Sequence, residues 1–286
     1  MSKKHITKPK RVDYFAVPKP LWKRIKHHFP DARKRGRPPI ADRVVLNAIW
    51  YVLWTGCQWK ALKREWFGVS ASTAHARMQL WQEIGIFKAI LTEMVKFYHK
   101  RRKISWKWQA IDGKNCPAPL GGEQTGRSPT DRGKRGSKIH ILVDKRGAPL
   151  SVEISAANRH DKCAVEEVIL SIMIERPDTE QHLCADRGYD SQDVKDFLQL
   201  EHYIPHLKHR RRRGEPKVEL CPVPGEVQDP ARRWVVERTF SWLAKRRSLR
   251  TRWSKKAANW LALVQFATAH ILFDMAFSDR YLIGFT

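Results

Sequence analysis

The apolar residues of this chain change their period once, and that change decides the fold class. From Leu46 they fall at Leu46, Ile49, Trp50, Leu53 and Trp54, the one-sided stripe of an amphipathic helix, which Gly56 stops. Trp59, Leu62, Lys63 and Trp66 keep helical spacing. Gly68-Val69-Ser70 interrupts it, and Thr73, Ala76 and Leu80 resume it with Ser70 or Ser72 as N-cap. After the basic stretch Lys100-Arg101-Arg102-Lys103 the period drops to two, with Trp106, Trp108, Ala110 and Asp112 alternating with Lys107, Gln109 and Ile111. Residues 138–144 and 150–154, joined by a turn at 145–147, read as hairpin strands. A helix over 163–174, a short strand at 181–185, a helix over 193–200, a strand at 203–204 and helices over 231–246 and 257–277 follow. Helices first, then strands, then alternating helix and strand predict two domains, 1–100 and 101–286, the second a mixed α/β layer fold.

Charge narrows the partner. Lys and Arg number 55 against 29 Asp and Glu, a net charge of +26, which suits a polyanion, and nucleic acid before a membrane surface because the basic residues spread along the chain. With 42% hydrophobic residues, wholesale disorder is excluded. The five cysteines (Cys57, Cys116, Cys163, Cys184 and Cys221) are odd in number and form no CxxC pair, so neither a disulfide framework nor a zinc ribbon is expected. No apolar core opens the chain, and residues 257–277 carry Asn259, Gln265, His270 and Asp274. A cytoplasmic protein without signal peptide or membrane span is expected. The outline around residues 59–83 is that of a helix-turn-helix offering His75, Arg77, Gln79 and Gln82 to a DNA groove, with a small helical bundle as the alternative. Before it, the Arg35-Gly36-Arg37-Pro38 core resembles an AT-hook, though a basic linker touching phosphates is the favoured reading.

Three carboxylates stand out. Asp112 closes the strand Ala110-Ile111-Asp112, and Asp186 ends Leu183-Cys184-Ala185-Asp186; strand ends are where α/β folds gather functional groups, and two such acids make a metal clamp. Glu237 lies on the margin of the stripe Val236, Phe240 and Leu243, with Arg233 about 40° away around the helix. Taken alone, this glutamate reads as a surface partner of Arg233 or Arg238. Asp161 beside His160 reads as a helix cap or an orienting group, Asp144 and Asp190 as turn residues, and His182 and Cys184 as structural. The run Arg210 to Arg213 favours DNA phosphates, and the long segment 117–136, with Arg127, Arg132, Lys134 and Arg135, is a candidate clamp that DNA would order.

Asp112-Gly113, Gly133 to Lys138, Ala157-Asn158-Arg159-His160-Asp161, Ala185-Asp186-Arg187-Gly188-Tyr189-Asp190-Ser191 and Arg233-(3)-Glu237 occur in the order seen in DDE transposases of bacterial insertion sequences. The chain most resembles the group that includes the fourth and fifth insertion-sequence families, and residues 36–87 resemble their N-terminal helical domain. The resemblance implies a ribonuclease H-like mixed sheet flanked by helices after an all-helical, helix-turn-helix-like domain. It implies Asp112, Asp186 and Glu237 as the catalytic triad holding two Mg²⁺, with Mn²⁺ as a substitute. The implied reaction is cleavage at the terminal inverted repeats, then joining of the freed 3′ ends to target DNA by a homo-oligomeric synaptic complex near the bacterial nucleoid. In that family the glutamate sits in Tyr-(2)-Arg-(3)-Glu-(6)-Lys; here the Tyr position is Pro230, the Lys position is Ala244, and Lys245 follows one residue late. The expected DNA contacts are Arg35, Arg37, His75, Arg77, Arg132, Lys134, Arg135, Lys138, Arg187, Arg233 and Lys245. A catalytically silent DNA-binding regulator and a metal-dependent nuclease without strand transfer are the competing readings.

Overall fold

The computed structural model describes residues 15–30, 39–207 and 234–277. The first part is helical: α1 (Lys19–Ile25), α2 (Asp42–Thr55), α3 (Arg64–Phe67), α4 (Ala71–Glu83) and α5 (Ile86–Arg102). Gly56, at φ 68°, ends α2 as expected. The second helical stretch is broken where the sequence suggested one helix: Trp59–Ala61 forms a 3₁₀ turn and α3 is four residues long. α4 matches its expected span, with the Ser70 hydroxyl accepting the Thr73 amide at 3.2 Å.

The second part holds β1 (Trp108–Pro117), β2 (Gly126–Arg127), β3 (Arg135–Asp144), β4 (Pro149–Ala156), α6 (Val165–Leu170), β5 (Gln181–Ala185), α7 (Gln192–Leu200), β6 (Tyr203–Leu207), α8 (Trp234–Ala244) and α9 (Ala257–Phe277). β4, β3 and β1 pair antiparallel; β1, β5 and β6 pair parallel, and the short β2 lies beside the start of β3. This is the expected mixed sheet, flanked by helices and preceded by a helical region. α6 is shorter than the helix expected over 163–174, because a 3₁₀ turn at Asp161–Ala164 takes its start and Ser171 ends it.

The segment 117–136 is anchored on the rest of the fold. Glu123 bonds the Lys255 carbonyl through its amide and the Ala257 amide, at the start of α9, through its carboxylate, each at 2.9 Å. The fully buried Arg252 guanidinium donates to Ser137 Oγ at 2.6 Å and to the carbonyls of Gln124, Ser254 and Lys255. β2 supplies a further anchor on β3.

α9 is long and apolar enough to cross a membrane, yet 83% of its apolar window is buried inside the protein. It packs along α5, where Phe97 stacks near Phe273, and Phe266 meets Trp50 and Phe87 at centroid distances of 5.1 and 5.8 Å. The core therefore runs across the division expected at residue 100.

Candidate active site

β1 and β5 run parallel with Trp108 opposite His182 and Ala110 opposite Cys184, so Asp112 and Asp186 stand an equal four residues along neighbouring strands. Asp112 does not close β1. The strand continues to Pro117 because β3 pairs it throughout, while β5 leaves the sheet at Asp186, so Asp112 sits where β1 loses its parallel neighbour. Asp186 caps the 3₁₀ turn Arg187–Tyr189, accepting the Gly188 amide, and Asp112 accepts the Gly113 amide at 2.8 Å. Each carboxylate is thereby aimed by the backbone that follows it.

The two acids share a neighbour that the sequence did not single out. Tyr189 is buried, and burial pushes its phenol well above its ordinary range; the charges of Asp112, Asp161 and Asp186 push it the same way. The phenolic oxygen has no hydrogen-bond partner among the described residues. Gly113 explains how closely the elements meet: a Cβ there would lie 2.8 Å from Asp161 Oδ1 and 2.9 Å from His140 Nδ1. His140 bonds Ser155 Oγ through Nε2 at 2.7 Å, and burial lowers its pKa to about 4 against the opposing charge of Asp161. Asp161 pairs with Lys138 at 2.8 Å, so it orients a neighbour, and it is His160 that caps the turn, its Nδ1 accepting the Lys162 amide. Lys138, expected at DNA, is buried, with its ammonium on Asp161 and on the Arg159 carbonyl.

The third carboxylate comes from α8. Val236, Phe240 and Leu243 are buried as the periodicity requires, and Glu237 is exposed beside them. α8 packs on β1 and β3, the Lys114 ammonium lies 5.9 Å from the Phe240 ring centre, and Thr239 Oγ1 donates to the Gly147 carbonyl at 2.8 Å. Asp112 shares a strand face with Lys114 two residues on, and Glu237 precedes Phe240 by one helical turn, so α8 flanks the face that bears Asp112.

The remaining candidates divide. Arg132, Lys134, Arg135, Arg187 and Lys245 are exposed; Lys134 pairs with Asp131 at 3.4 Å, and Lys245 has its pKa lowered by desolvation and by Arg246. His75 packs against Trp59 at 5.0 Å and is lowered by burial and by Lys256, while Arg77 pairs with Asp42 and lies 5.2 Å from the Trp81 ring centre. The exposed positions of α4 are Ser72, Ala76, Leu80 and Glu83, none of them basic. Arg35, Arg37, Arg233 and the run Arg210 to Arg213 lie outside the described residues.

Among the described residues, one group of three His, Cys, Asp or Glu side chains has its ligand atoms within 4.8 Å of one another, and it is not the acidic triad. The donors at Asp112, Asp186 and Glu237 are all carboxylate oxygens, a set that fits hard divalent cations.

The fold is a mixed sheet flanked by helices, with Asp112 and Asp186 at one level of its parallel pair. Residues 108–272 match the family described as "Transposase DDE domain", and residues 17–91 match "Putative transposase of IS4/5 family". The first match covers more than half of the chain, which therefore belongs to the transposase DDE domain family. Over 146 residues the chain is 34% identical to the "Putative transposase for insertion sequence element IS402" of Burkholderia cepacia, a match covering 48% of this chain and 63% of that relative. A second Burkholderia cepacia relative, the IS402 uncharacterized 16.2 kDa protein, is 27% identical over 114 residues, 38% of this chain and 78% of its own. Among solved structures, the Mos1 strand transfer complex aligns with 87% of this chain and 81% of its own at 11% identity and a TM-score of 0.26.

Proposed function

We propose that the chain is a DNA transposase that cleaves insertion-sequence ends and joins the freed 3′ ends to target DNA, with Asp112, Asp186 and Glu237 as its catalytic carboxylates. The observation that carries this reading is the pair Asp112 and Asp186, set at one level of two parallel strands around buried Tyr189, in a chain of net charge +26 from the transposase DDE domain family. Family membership supports enzymatic cleavage and transfer. The metal, its identity as Mg²⁺ and the oligomer that pairs two ends extend that reading.

Asp112, Asp186 and Glu237 would hold the cations. Cations held there would neutralise the charge of a phosphodiester and polarise its oxygens toward attack. The chain's own groups do the rest. The Gly113 and Gly188 amides hold the two aspartates in fixed orientations, which reduces the reorganisation needed in the transition state. The Lys138–Asp161 pair and His140 pack under Gly113 and fix the backbone from which Asp112 projects. Arg132, Lys134, Arg135, Arg187 and Lys245 offer exposed positive charge to phosphates.

The test incubates the purified chain and Mg²⁺ with a labelled duplex carrying the inverted repeats that flank its gene, beside Asp112→Ala and Glu237→Gln. Nicking at the repeat boundary and joining to other DNA by the wild type alone is the expected result. Binding without cutting would leave a DNA-binding regulator; cutting without joining would leave a nuclease.

A further inference from the structure

A second cluster, remote in sequence from the acidic site, has metal-ligating chemistry of a different kind. His27 and His28 occupy the 3₁₀ turn Lys26–His28 that follows α1, and Glu93 lies on α5, against which that turn packs. One ligand atom from each lies within 4.8 Å of the other two, and the two imidazole ring centres are 4.1 Å apart. His28 Nε2 is buried with no hydrogen-bond partner among the described residues, and an orphaned buried ring nitrogen calls for a ligand or water. We propose that His27, His28 and Glu93 bind one divalent transition-metal ion of the zinc class, which would clamp the turn to α5.

The donor set selects the metal. Two imidazoles with one carboxylate suit Zn²⁺ and its neighbours, whereas the oxygen-only set at Asp112, Asp186 and Glu237 suits Mg²⁺ or Mn²⁺. Three donors on one tetrahedral ion stand roughly 3.4 Å apart, given metal–ligand distances of about 2.1 Å, so modest side-chain rotation closes the site. Exposed His27 leaves solvent access for a fourth, water ligand. Arg24, whose guanidinium lies 3.6 Å from the Phe97 ring centre, already holds the end of α1 on α5 and positions the turn.

The inference stands apart from the transposase reading, and so does its test. The full chain, stripped with chelator and kept in excess Mg²⁺, is titrated with Zn²⁺ by calorimetry, and with Co²⁺ by the visible absorption of a tetrahedral site. One ion per chain with a rise in melting temperature is expected. His27→Ala, an exposed change, and the near-isosteric Glu93→Gln should each weaken binding by about tenfold or more, since even outer-shell partners typically contribute 10–100-fold. Asp112→Ala should bind as the wild type does. Absent binding, unchanged binding in His27→Ala or loss in Asp112→Ala would each overturn the site.

Discussion

The two ends of the β1–β5 pair use the same strands to opposite purposes. At the end where the strands begin, Trp108 stacks on His182 at 4.2 Å, and His182 shares a 2.9 Å hydrogen bond with His206. Gln109 donates to Gln181 at 2.7 Å and accepts from the Tyr203 hydroxyl at 2.9 Å. At the other end Asp112, Asp161 and Asp186 surround a buried phenol, and neither that phenol nor His140 Nδ1 has a hydrogen-bond partner among the described residues. Interiors rarely tolerate unmatched polar groups, so polarity satisfied internally fits a structural end, and polarity left open fits the end proposed to work.

Equivalent changes at the two ends should separate these roles. Asp186→Asn should lower strand cleavage by about 10³-fold or more, roughly 4 kcal/mol of barrier, with the melting temperature nearly unchanged; an active Asp186→Asn would remove the working end altogether. Acid tests its lining. His140 stays neutral in the fold down to about pH 4, whereas an unfolded histidine takes up its proton near 6.5. Its contribution is therefore complete above pH 6.5 and is lost as pH falls toward 4, by about 3 kcal/mol in all. Buried Asp144, whose pKa is raised, acts in the opposite sense, so the readout is the difference between wild type and His140→Gln in urea melts across that window. Equal slopes would show that His140 does not carry the effect. At the packed end, Trp108→Ala should cost about 2–3 kcal/mol in urea unfolding while the remaining folded protein still cleaves; loss of cleavage without loss of stability would erase the contrast. The smallest effect is expected of Tyr189→Phe, which removes an unmatched buried hydroxyl and should leave stability equal or raise it by about 1 kcal/mol. A clear loss of stability would reveal a partner for that hydroxyl.

Periodicity made the elements legible wherever the pattern is local. α9 matches its expected span because Ala257 to Phe277 is apolar without a breaker, and β3 and β4 follow from alternation around a turn. Asp186 was legible as a strand-end acid, whereas Asp112, read the same way, lies inside β1 at the level where its parallel neighbour ends. What escaped is set by contacts distant in sequence. Lys114 to Pro117 lacks a strand pattern, and only pairing with β3 extends β1 that far. Arg77 and Lys138 read as DNA contacts because a sequence shows their charge and not their partners, Asp42 thirty-five residues earlier and Asp161 twenty-three later. The burial of Arg246 and Arg252 runs against composition, and what holds them is the Trp242 carbonyl and His270 for one and Ser137 with the carbonyls of Gln124, Ser254 and Lys255 for the other. Tyr189 was visible in the Asp186-to-Ser191 motif but carried no periodic signal to separate it from its neighbours.

The packing of α9 along α5 also sets a schedule. Trp50, Phe87 and Phe97 find their aromatic partners on the helix that spans Ala257–Phe277, and 277 − 102 = 175 residues separate the ends of those two helices. At translation speeds of about 5–20 residues per second, the helical region waits roughly 9 to 35 seconds for its last wall. During that interval its apolar groove stands open on the ribosome, which makes the nascent chain a client for chaperones and any chain cut short before α9 a target for proteolysis.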